Sequence, residues 1–186
     1  LADGGAGESA RRIGEAILGR SIDAVSLLSV SLARHQEAIR TSALHMGFSP
    51  DLVWLIGDLG SGPLAHHLQH LVWGSDPLTD FVKRGSDPWD RGYCPFCGSW
   101  PVLIEAANDT RTLRCSYCAL GWSLLTRRCI YCGNDGEGFM AAAPDVNRPQ
   151  QRVELCSTCS SYTKVVETAE PTPFPLLAID DLATLD

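Results

Sequence analysis

The feature that most constrains this chain is a set of four Cys-x-x-Cys pairs in its second half. The pairs use every cysteine of the 186 residues: Cys94 and Cys97, Cys115 and Cys118, Cys129 and Cys132, and Cys156 and Cys159. One such pair can place two thiolates on a metal ion from a single tight turn, and two pairs complete a tetrahedral four-sulfur site. The pattern therefore predicts two metal ions per chain. Because four thiolates suit iron and zinc alike, it leaves their identity open.

Disulfides and redox dithiols are the alternative explanations of an even cysteine count. Disulfide frameworks spread cysteines through short secreted chains, whereas the first 93 residues here contain none. A redox Cys-x-x-Cys begins a helix, but Gly98 and Pro101 follow Cys97 and do not suit one. Gly98 and Gly133, each directly after a second cysteine, instead predict turns with a positive φ that point backbone amides at the thiolates.

Strand-like runs between the pairs predict which cysteines share a metal. Runs at 102–106 and 110–114 predict a hairpin that returns the chain from the first pair to the second, and 121–125 predicts a third strand. Runs at 151–155 and 162–167 flank the fourth pair similarly, which indicates an internal repeat. Interleaved pairing remains an alternative that needs longer excursions. Local pairing predicts one site from Cys94, Cys97, Cys115 and Cys118, and another from Cys129, Cys132, Cys156 and Cys159.

The first half of the chain has the pattern of helices. From residue 21 onwards, apolar residues recur near helical spacing at Val25, Leu28, Leu32 and Ile39. Gly47 is the expected end of this helix, and Ser49-Pro50-Asp51 has the residues of a helix start. We expect Gly60 to end the second helix and Pro63 to open a third. A short fourth helix is predicted over 75–85.

These patterns predict an α plus small β fold, with a helical N-terminal domain followed by two tandem rubredoxin-like or zinc-ribbon modules. The predicted boundaries are 1–90 for the helical domain, 91–128 for the first four-cysteine module, and 129–186 for the second module with its C-terminal tail. The linker into the first module is expected at 85–92. Each module is too small to bury a sufficient core, so metal binding is expected to supply much of its folding free energy.

The histidines offer a weaker signal for metal binding. His66 and His70 lie four residues apart, so both would lie on one helical face, a spacing that can bind zinc. His67 stands where the metalloprotease motif needs glutamate. An ordinary helix surface or a hydrogen-bonded interface is therefore the expected role of this group. His35 lies on the apolar stripe, and we expect it to be packed and hydrogen-bonded.

The charge of the chain argues against nucleic-acid binding. The formal net charge is −7, and the cysteine-rich half is itself acidic, whereas binding to phosphates needs a basic surface. Arginines do gather around the first predicted site, and a local basic patch can override net charge. The expected role of these arginines is a solvated hairpin face; they are Arg111, Arg114, Arg127 and Arg128.

Catalysis and membrane insertion are not indicated. The sequence has no catalytic-triad order, phosphate loop or dinucleotide fingerprint. Closed four-sulfur sites leave no open coordination position for a substrate. Asp180 and Asp181 are expected to begin a helix rather than to act as a catalytic pair. No run approaches the roughly 20 apolar residues that span a bilayer. We therefore predict no catalytic residues, no organic cofactor and no membrane partner.

The cysteine motifs, taken with their neighbours, resemble those of a known family. They are Cys94-Pro-Phe-Cys97-Gly98, Cys115-Ser-Tyr-Cys118-Ala-Leu-Gly-Trp122, Cys129-Ile-Tyr-Cys132-Gly-Asn-Asp, and Cys156-Ser-Thr-Cys159-Ser-Ser-Tyr-Thr-Lys-Val-Val. With the tail from Pro173 to Asp186, this series is similar to the formate dehydrogenase accessory protein family, FdhE. The resemblance runs from about residue 93 to 186. Four pairs in this order form a far more specific signature than one zinc ribbon.

The resemblance implies a cytoplasmic bacterial protein that binds the catalytic subunit of a respiratory formate dehydrogenase and assists its maturation. It implies that the eight cysteines bind metal, with iron associated with them, and it leaves a homo-oligomer open. The first alternative is a rubredoxin-like iron protein for electron transfer or redox sensing, and the second, which the acidic charge disfavours, is a zinc-ribbon nucleic-acid-binding protein. The helical part is shorter than the resemblance leads us to expect, and the chain begins without methionine or an apolar signal segment. We therefore expect a truncated form or a shorter relative.

Overall fold

The structure is a computed structural model that describes residues 5–73, 89–107, 110–144, 146 and 148–183. The chain divides into two compact units, Leu1–Ala65 and His66–Asp186. The predicted fourth helix over 75–85, most of the predicted linker and the predicted hairpin turn at 108–109 lie outside the described residues. The domain boundaries after residues 90 and 128 stay predictions.

Four helices come first in the chain: α1 (Gly5–Leu18), α2 (Ala24–Leu32), α3 (Gln36–His45) and α4 (Pro50–Trp73). The first unit has its own apolar core, built from one or two side chains per helix and from the α1–α2 connection. The buried members are Ile13, Ile22, Leu27, Ile39, Ala43 and Val53. The start of α4 at Pro50 confirms the predicted helix-start signature, and Gly47, with φ +72°, follows α3 as predicted.

The single helix predicted from residue 21 to Gly47 is wrong, because the chain forms two helices there. Arg34 has φ +56°, which interrupts the helix between α2 and α3 and shifts the phase of the apolar stripe. Val25 is consequently 72% exposed. His35 lies at the break and is exposed, so its predicted packing is also wrong.

The predicted helix end at Gly60 is wrong, since α4 continues through Gly60 and Pro63 to Trp73. A Cβ atom at Gly60 would lie 2.9 Å from Leu28 Cδ2. The glycine therefore permits α2 and α4 to approach closely, rather than ending the helix. Pro63 lacks an N–H, so it removes the hydrogen bond to the carbonyl four residues earlier but does not end the helix.

The second unit is built on one six-stranded sheet in the order β3-β2-β1-β6-β5-β4. The strands are β1 (Pro101–Ala107), β2 (Thr110–Cys115), β3 (Gly121–Trp122), β4 (Phe139–Ala141), β5 (Gln151–Cys156) and β6 (Ser161–Glu167). Strands β1–β3 and β4–β6 each pair antiparallel, which confirms the predicted repeat. The two halves join through the parallel pairing of β1 with β6, and this pairing was not predicted.

Helix α5 (Phe174–Ala183) follows the sheet, and its Leu177 is buried in a cluster with Leu103 and Ala119. Asp181 of α5 forms an ion pair with Lys164 of β6, with 2.6 Å between Oδ1 and Nζ. Asp180 and Asp181 lie in the second half of this helix, so the expectation that they begin a helix is wrong. Helices plus a mixed sheet carrying two four-cysteine clusters confirm the predicted fold class.

Candidate metal centres

Each Cys-x-x-Cys pair lies in a tight turn, which we call a knuckle. Knuckle 1 is residues 94–98, knuckle 2 is 115–119, knuckle 3 is 129–133 and knuckle 4 is 156–160. In knuckle 1, Cys94 N donates to the carbonyl of Ser99 at 2.8 Å, and Gly98 N donates to the carbonyl of Cys94 at 3.0 Å. Knuckles 2 and 3 repeat both hydrogen bonds. In these three knuckles, the turn is therefore closed by hydrogen bonds between backbone groups of the knuckle and of the residue that follows it.

The residue after the second cysteine has a positive φ in all four knuckles. Gly98 has φ +74° and Gly133 has φ +77°, as the sequence predicted. Ala119 at +59° and Ser160 at +56° adopt the same conformation although they carry a Cβ atom. Sequence reasoning missed these two. Their equivalent position in the repeat was the only available signal.

The first cluster comprises Cys94, Cys97, Cys115 and Cys118, and all its sulfur atoms lie within 4.8 Å of one another. The Sγ atoms of Cys94 and Cys118 are 3.7 Å apart, and those of Cys97 and Cys115 are 3.4 Å apart. Zinc–sulfur bonds of about 2.3 Å in a tetrahedron need sulfur–sulfur distances of about 3.8 Å. The first cluster therefore fits a closed four-sulfur site around one ion.

The second cluster comprises Cys129, Cys132, Cys156 and Cys159 and has the same compact geometry. The Sγ distance is 3.6 Å both between Cys129 and Cys159 and between Cys132 and Cys156. The structure thus groups the eight cysteines by local pairing and not by interleaved pairing. Each cluster could hold one metal ion. Coordination of a metal by these eight side chains stays a prediction.

Neighbouring thiols, burial and backbone amides shift the pKa values of the cysteines. Hydrogen bonding with Cys115 lowers the pKa of Cys97 far below the ordinary thiol value, and raises the pKa of Cys118 far above it. Burial raises the pKa of Cys129 to about 12. Burial also acts to raise the pKa of Cys156, but hydrogen bonds from the Cys159 amide and the Cys132 thiol bring it to about 6. A metal ion must displace the remaining protons, so its affinity falls as the pH falls.

His66 supports the first cluster from outside. Its Nδ1 lies 3.0 Å from the carbonyl oxygen of Cys118, so the tautomer that carries the proton on Nδ1 can donate to it. The His66 ring stacks on Phe174, with 4.4 Å between centroids, and meets His70 edge-on. Among the described residues, these histidines belong to neither candidate metal group. The expected hydrogen-bonded interface is therefore what the structure contains at His66.

Arg114 forms a buried ion pair, contrary to the expected solvated hairpin face. Its Nη1 lies 2.6 Å from Oε2 of Glu105, and both side chains are less than a tenth exposed. Arg114 Nη2 also donates to the carbonyl of Thr172, and Glu105 Oε1 accepts from the Thr172 amide at 2.7 Å. This network links β1 and β2 to the segment that leads into α5.

The other three arginines are also paired with carboxylates. Arg111 and Arg127 both bind Glu154, at 2.7 Å and 3.0 Å, and the Glu154 side chain is 1% exposed. Arg128 pairs with Asp90 at 2.8 Å. Sequence reasoning missed the buried Glu105 and Glu154 because a glutamate within a strand usually indicates the solvent face.

Comparisons with known proteins show which proteins this chain is similar to. No protein-family model matches the chain. The chain is 30% identical over 150 residues to the FdhE homologue of Rhizobium meliloti (strain 1021), and this match covers 72% of the chain and 48% of that relative. It is 27% identical over 132 residues to the FdhE homologue of Aquifex aeolicus (strain VF5), at 68% and 43% coverage. It is 32% identical over 99 residues to FdhE of Escherichia coli O127:H6, at 51% and 31% coverage.

The chain is also similar to the crystal structure of the FdhE protein from Pseudomonas aeruginosa. The identity is 26% and the TM-score 0.47, and the match covers 62% of this chain and 40% of that one. The chain spans less than half the length of these relatives.

Proposed function

Because the chain belongs to the FdhE family, we propose that it is an accessory protein that binds the catalytic subunit of a formate dehydrogenase and assists its assembly or activation. The observation that carries this proposal is the grouping of the four knuckles into two compact four-sulfur clusters. The knuckles are also the motifs that carry the resemblance to the family.

The proposed ligands are the four cysteines of the first cluster and the four of the second, with iron or zinc in each. When bound, the ions supply cross-links between knuckles that are distant in sequence. The chain itself supplies the closed turns, the amides that hydrogen-bond the sulfurs, and the shared sheet that holds the two clusters. A rigid double module of this kind can present a constant surface to a partner.

We propose binding rather than catalysis as the role of this chain. Closed sites with four sulfur ligands offer no open position at which a substrate could coordinate. Thiolates kept available for metal suit a reducing compartment, which supports the cytoplasm as the proposed location. Carboxylates pair with each of the four arginines Arg111, Arg114, Arg127 and Arg128, and this supports leaving nucleic acid out of the proposed partners.

An anaerobic pull-down tests the proposal. The tagged chain would be expressed in a bacterium grown on formate, and the captured proteins identified by mass spectrometry. We expect enrichment of a formate dehydrogenase catalytic subunit, and loss of that enrichment when Cys94→Ser and Cys129→Ser are combined. An intact, metal-loaded bait that captures no formate dehydrogenase would contradict the proposal.

A second candidate function is electron transfer or redox sensing by a rubredoxin-like iron site. The observation that favours it is the exposed Cys132, which brings one edge of the second cluster to solvent. Metal analysis of anaerobically purified protein, together with its visible spectrum, separates the candidates. Iron that cycles reversibly between two colours supports the redox role, whereas a colourless protein with two zinc ions contradicts it.

A further inference from the structure

The two four-cysteine clusters differ in their access to solvent. In the first cluster Cys94, Cys115 and Cys118 are at most 1% exposed, and Cys97 is partly buried. In the second cluster Cys129 and Cys156 are buried and Cys159 is partly buried, but Cys132 is exposed. The geometry of the sulfur atoms is otherwise alike, so the difference comes from the residues that surround each cluster.

The first cluster is covered around knuckle 2. Ala119 and Leu120 are buried, and Trp122 of β3 is 8% exposed. His66 Nδ1 lies within hydrogen-bonding distance of the Cys118 carbonyl oxygen, and Phe174 at the start of α5 stacks on the His66 ring. An incoming ligand would have to displace this packing to reach the sulfur atoms of knuckle 2.

Knuckle 4 of the second cluster has no comparable cover among the residues that the structure describes. Ser157, Thr158 and Ser160 are exposed, and Tyr162, just beyond the knuckle, is 53% exposed. The side chains of Ser157, Thr158 and Ser160 are short and polar, so they offer little apolar surface to a covering element. The second cluster is therefore approachable on this side.

A surface cavity of about 660 Å³ also reaches the second cluster, at knuckle 3. Cys129 and Cys132 lie in its wall together with three partly exposed aromatic side chains, Tyr93, Trp100 and Tyr131. The ring centroids of Trp100 and Tyr131 are 5.0 Å apart. Aromatic rings make favourable contacts with sulfur, so this wall suits a ligand that carries a thiol.

We infer that the second cluster is an exchangeable metal site, at which an external thiol replaces Cys132 as a ligand, while the first cluster is a permanent structural site. This inference rests on the proposed coordination of a metal by both clusters. In the exchange the incoming thiol gives up its proton and binds as a thiolate. Cys132 Sγ leaves the metal and takes up one proton. One metal–sulfur bond breaks and one forms, so no oxidant or reductant is needed.

Metal release from the zinc-loaded full chain tests the inference. A chromophoric chelator in excess would be mixed with the protein, with and without glutathione, and zinc release followed by absorbance. We expect two phases of one ion each, with rate constants that differ at least tenfold. Glutathione should accelerate only the fast phase, in proportion to its concentration, and S-methylglutathione, which lacks a free thiol, should not. A single phase, or a fast phase that neither glutathione nor a cysteine-containing peptide accelerates, would overturn the inference.

Variants assign the two phases. Cys94→Ser, which disrupts the first cluster, should retain the fast phase, and Cys129→Ser should retain the slow one. Leu177→Ala removes a buried side chain that packs in one cluster with Ala119 of knuckle 2, and it should accelerate the slow phase. Leu176→Ala, at the exposed neighbouring position, should not. A fast phase that persists in Cys129→Ser and vanishes in Cys94→Ser would overturn the assignment, and with it the inference.

Total metal content separates this inference from the proposal on which it rests. Two ions per chain that leave at one rate contradict only the exchange. Fewer than two ions in the wild-type chain contradict the coordination itself.

A small thiol and a cysteine of a partner protein offer the same ligand chemistry, and two probes distinguish them. One is glutathione, and the other is a ten-residue apolar peptide with one cysteine, with its serine counterpart as the control. Faster exchange with the cysteine peptide, reduced by Trp100→Ala, indicates a polypeptide ligand at the aromatic wall. Equal rate constants indicate a small thiol.

Discussion

At the residue scale, the position after the second cysteine is the most constrained in each knuckle. A positive φ there lets the chain close its turn around the sulfurs, and this conformation costs an L residue with a side chain about 1–2 kcal/mol relative to glycine. Gly98 and Gly133 avoid the cost, whereas Ala119 and Ser160 bear it. The same backbone requirement is therefore met by two different residue choices within one molecule.

Substitutions at two of these positions should change stability in opposite directions. Gly98→Ala should destabilise the folded chain by about 1 kcal/mol through the backbone alone, because a Cβ atom there would meet nothing within 4 Å. Ser160→Gly should stabilise it by about 0.5 kcal/mol, since the relief of strain exceeds the greater entropy that glycine loses on folding. Urea denaturation of the metal-loaded proteins measures both. Equal effects of one sign would show that the positive φ is not the governing factor.

The cysteines give a second prediction at this scale. Cys94→Ser and Cys129→Ser should each lose one of two bound ions, because a hydroxyl is a poor substitute for a thiolate on iron or zinc. Elemental analysis per chain measures the loss. Ser116→Ala is the matched control, since this exposed residue lies next to Cys115 and should leave both ions in place. Retention of both ions in Cys94→Ser would contradict the ligand assignment.

At the scale of elements, the sheet and its buried charges decide how the two modules are joined. The parallel pairing of β1 with β6 makes one sheet of two repeats, and α5 packs with Leu177 against Leu103 of β1. The ion pair of Arg114 and Glu105 lies within this arrangement and ties β1 and β2 to the residues before α5. Such a buried pair is costly to break on one side only, because the remaining charge is left without a partner.

Breaking this pair should therefore be strongly destabilising. Arg114→Ala should lower the free energy of unfolding by about 3–5 kcal/mol, because Glu105 would stay buried without its counter-charge. The double variant Arg114→Met with Glu105→Leu should recover much of that loss, since it removes both charges and keeps the volume. Urea denaturation measures the three proteins.

The control for this experiment is Arg11→Ala in α1, which removes the exposed contacts with Glu8 and Glu15. Exposed ion pairs contribute little because water screens them. A cost of Arg114→Ala as small as that of the control would show that the pair has no structural role.

At the scale of the whole molecule, the two units depend on different sources of stability. The first unit has an apolar core of its own between its helices. The second unit buries apolar side chains on its sheet, such as Leu103, Ile104 and Val165, and in addition has two four-cysteine clusters that could each hold a metal ion. Metal binding is therefore expected to contribute much of its folding free energy.

Removal of the metal should consequently affect the two units unequally. We expect a strong chelator to unfold the six-stranded sheet while the helices of the first unit stay folded. Far-UV circular dichroism would then keep its helical signal, and amide exchange would become fast at β1 to β6 but not at α2 and α3. The outcome that would contradict this prediction is a sheet that stays protected from exchange after both ions have been removed.

The knuckles, the hairpins and the local grouping of the cysteines were determined by the sequence alone. Their contacts are short-range: a turn of five residues closes its own hydrogen bonds, and glycine at residue 98 or 133 meets the one demand that the turn makes on the backbone. The repeat of the pattern then indicated which two Cys-x-x-Cys pairs form each cluster. The spacing of the strand-like runs predicted the hairpin in each module.

Other features were decided only by tertiary contacts. The local sequence predicts a helix end at Gly60, but this glycine packs closely against Leu28, which lies 32 residues away in the chain. The local sequence indicates a surface position for Glu154, yet its side chain is buried and its charge is paired with two arginines from other segments. The pairing of β1 with β6 and the unequal cover of the two clusters arise in the same way. Such contacts join residues far apart in the chain, and no local spacing or propensity encodes them.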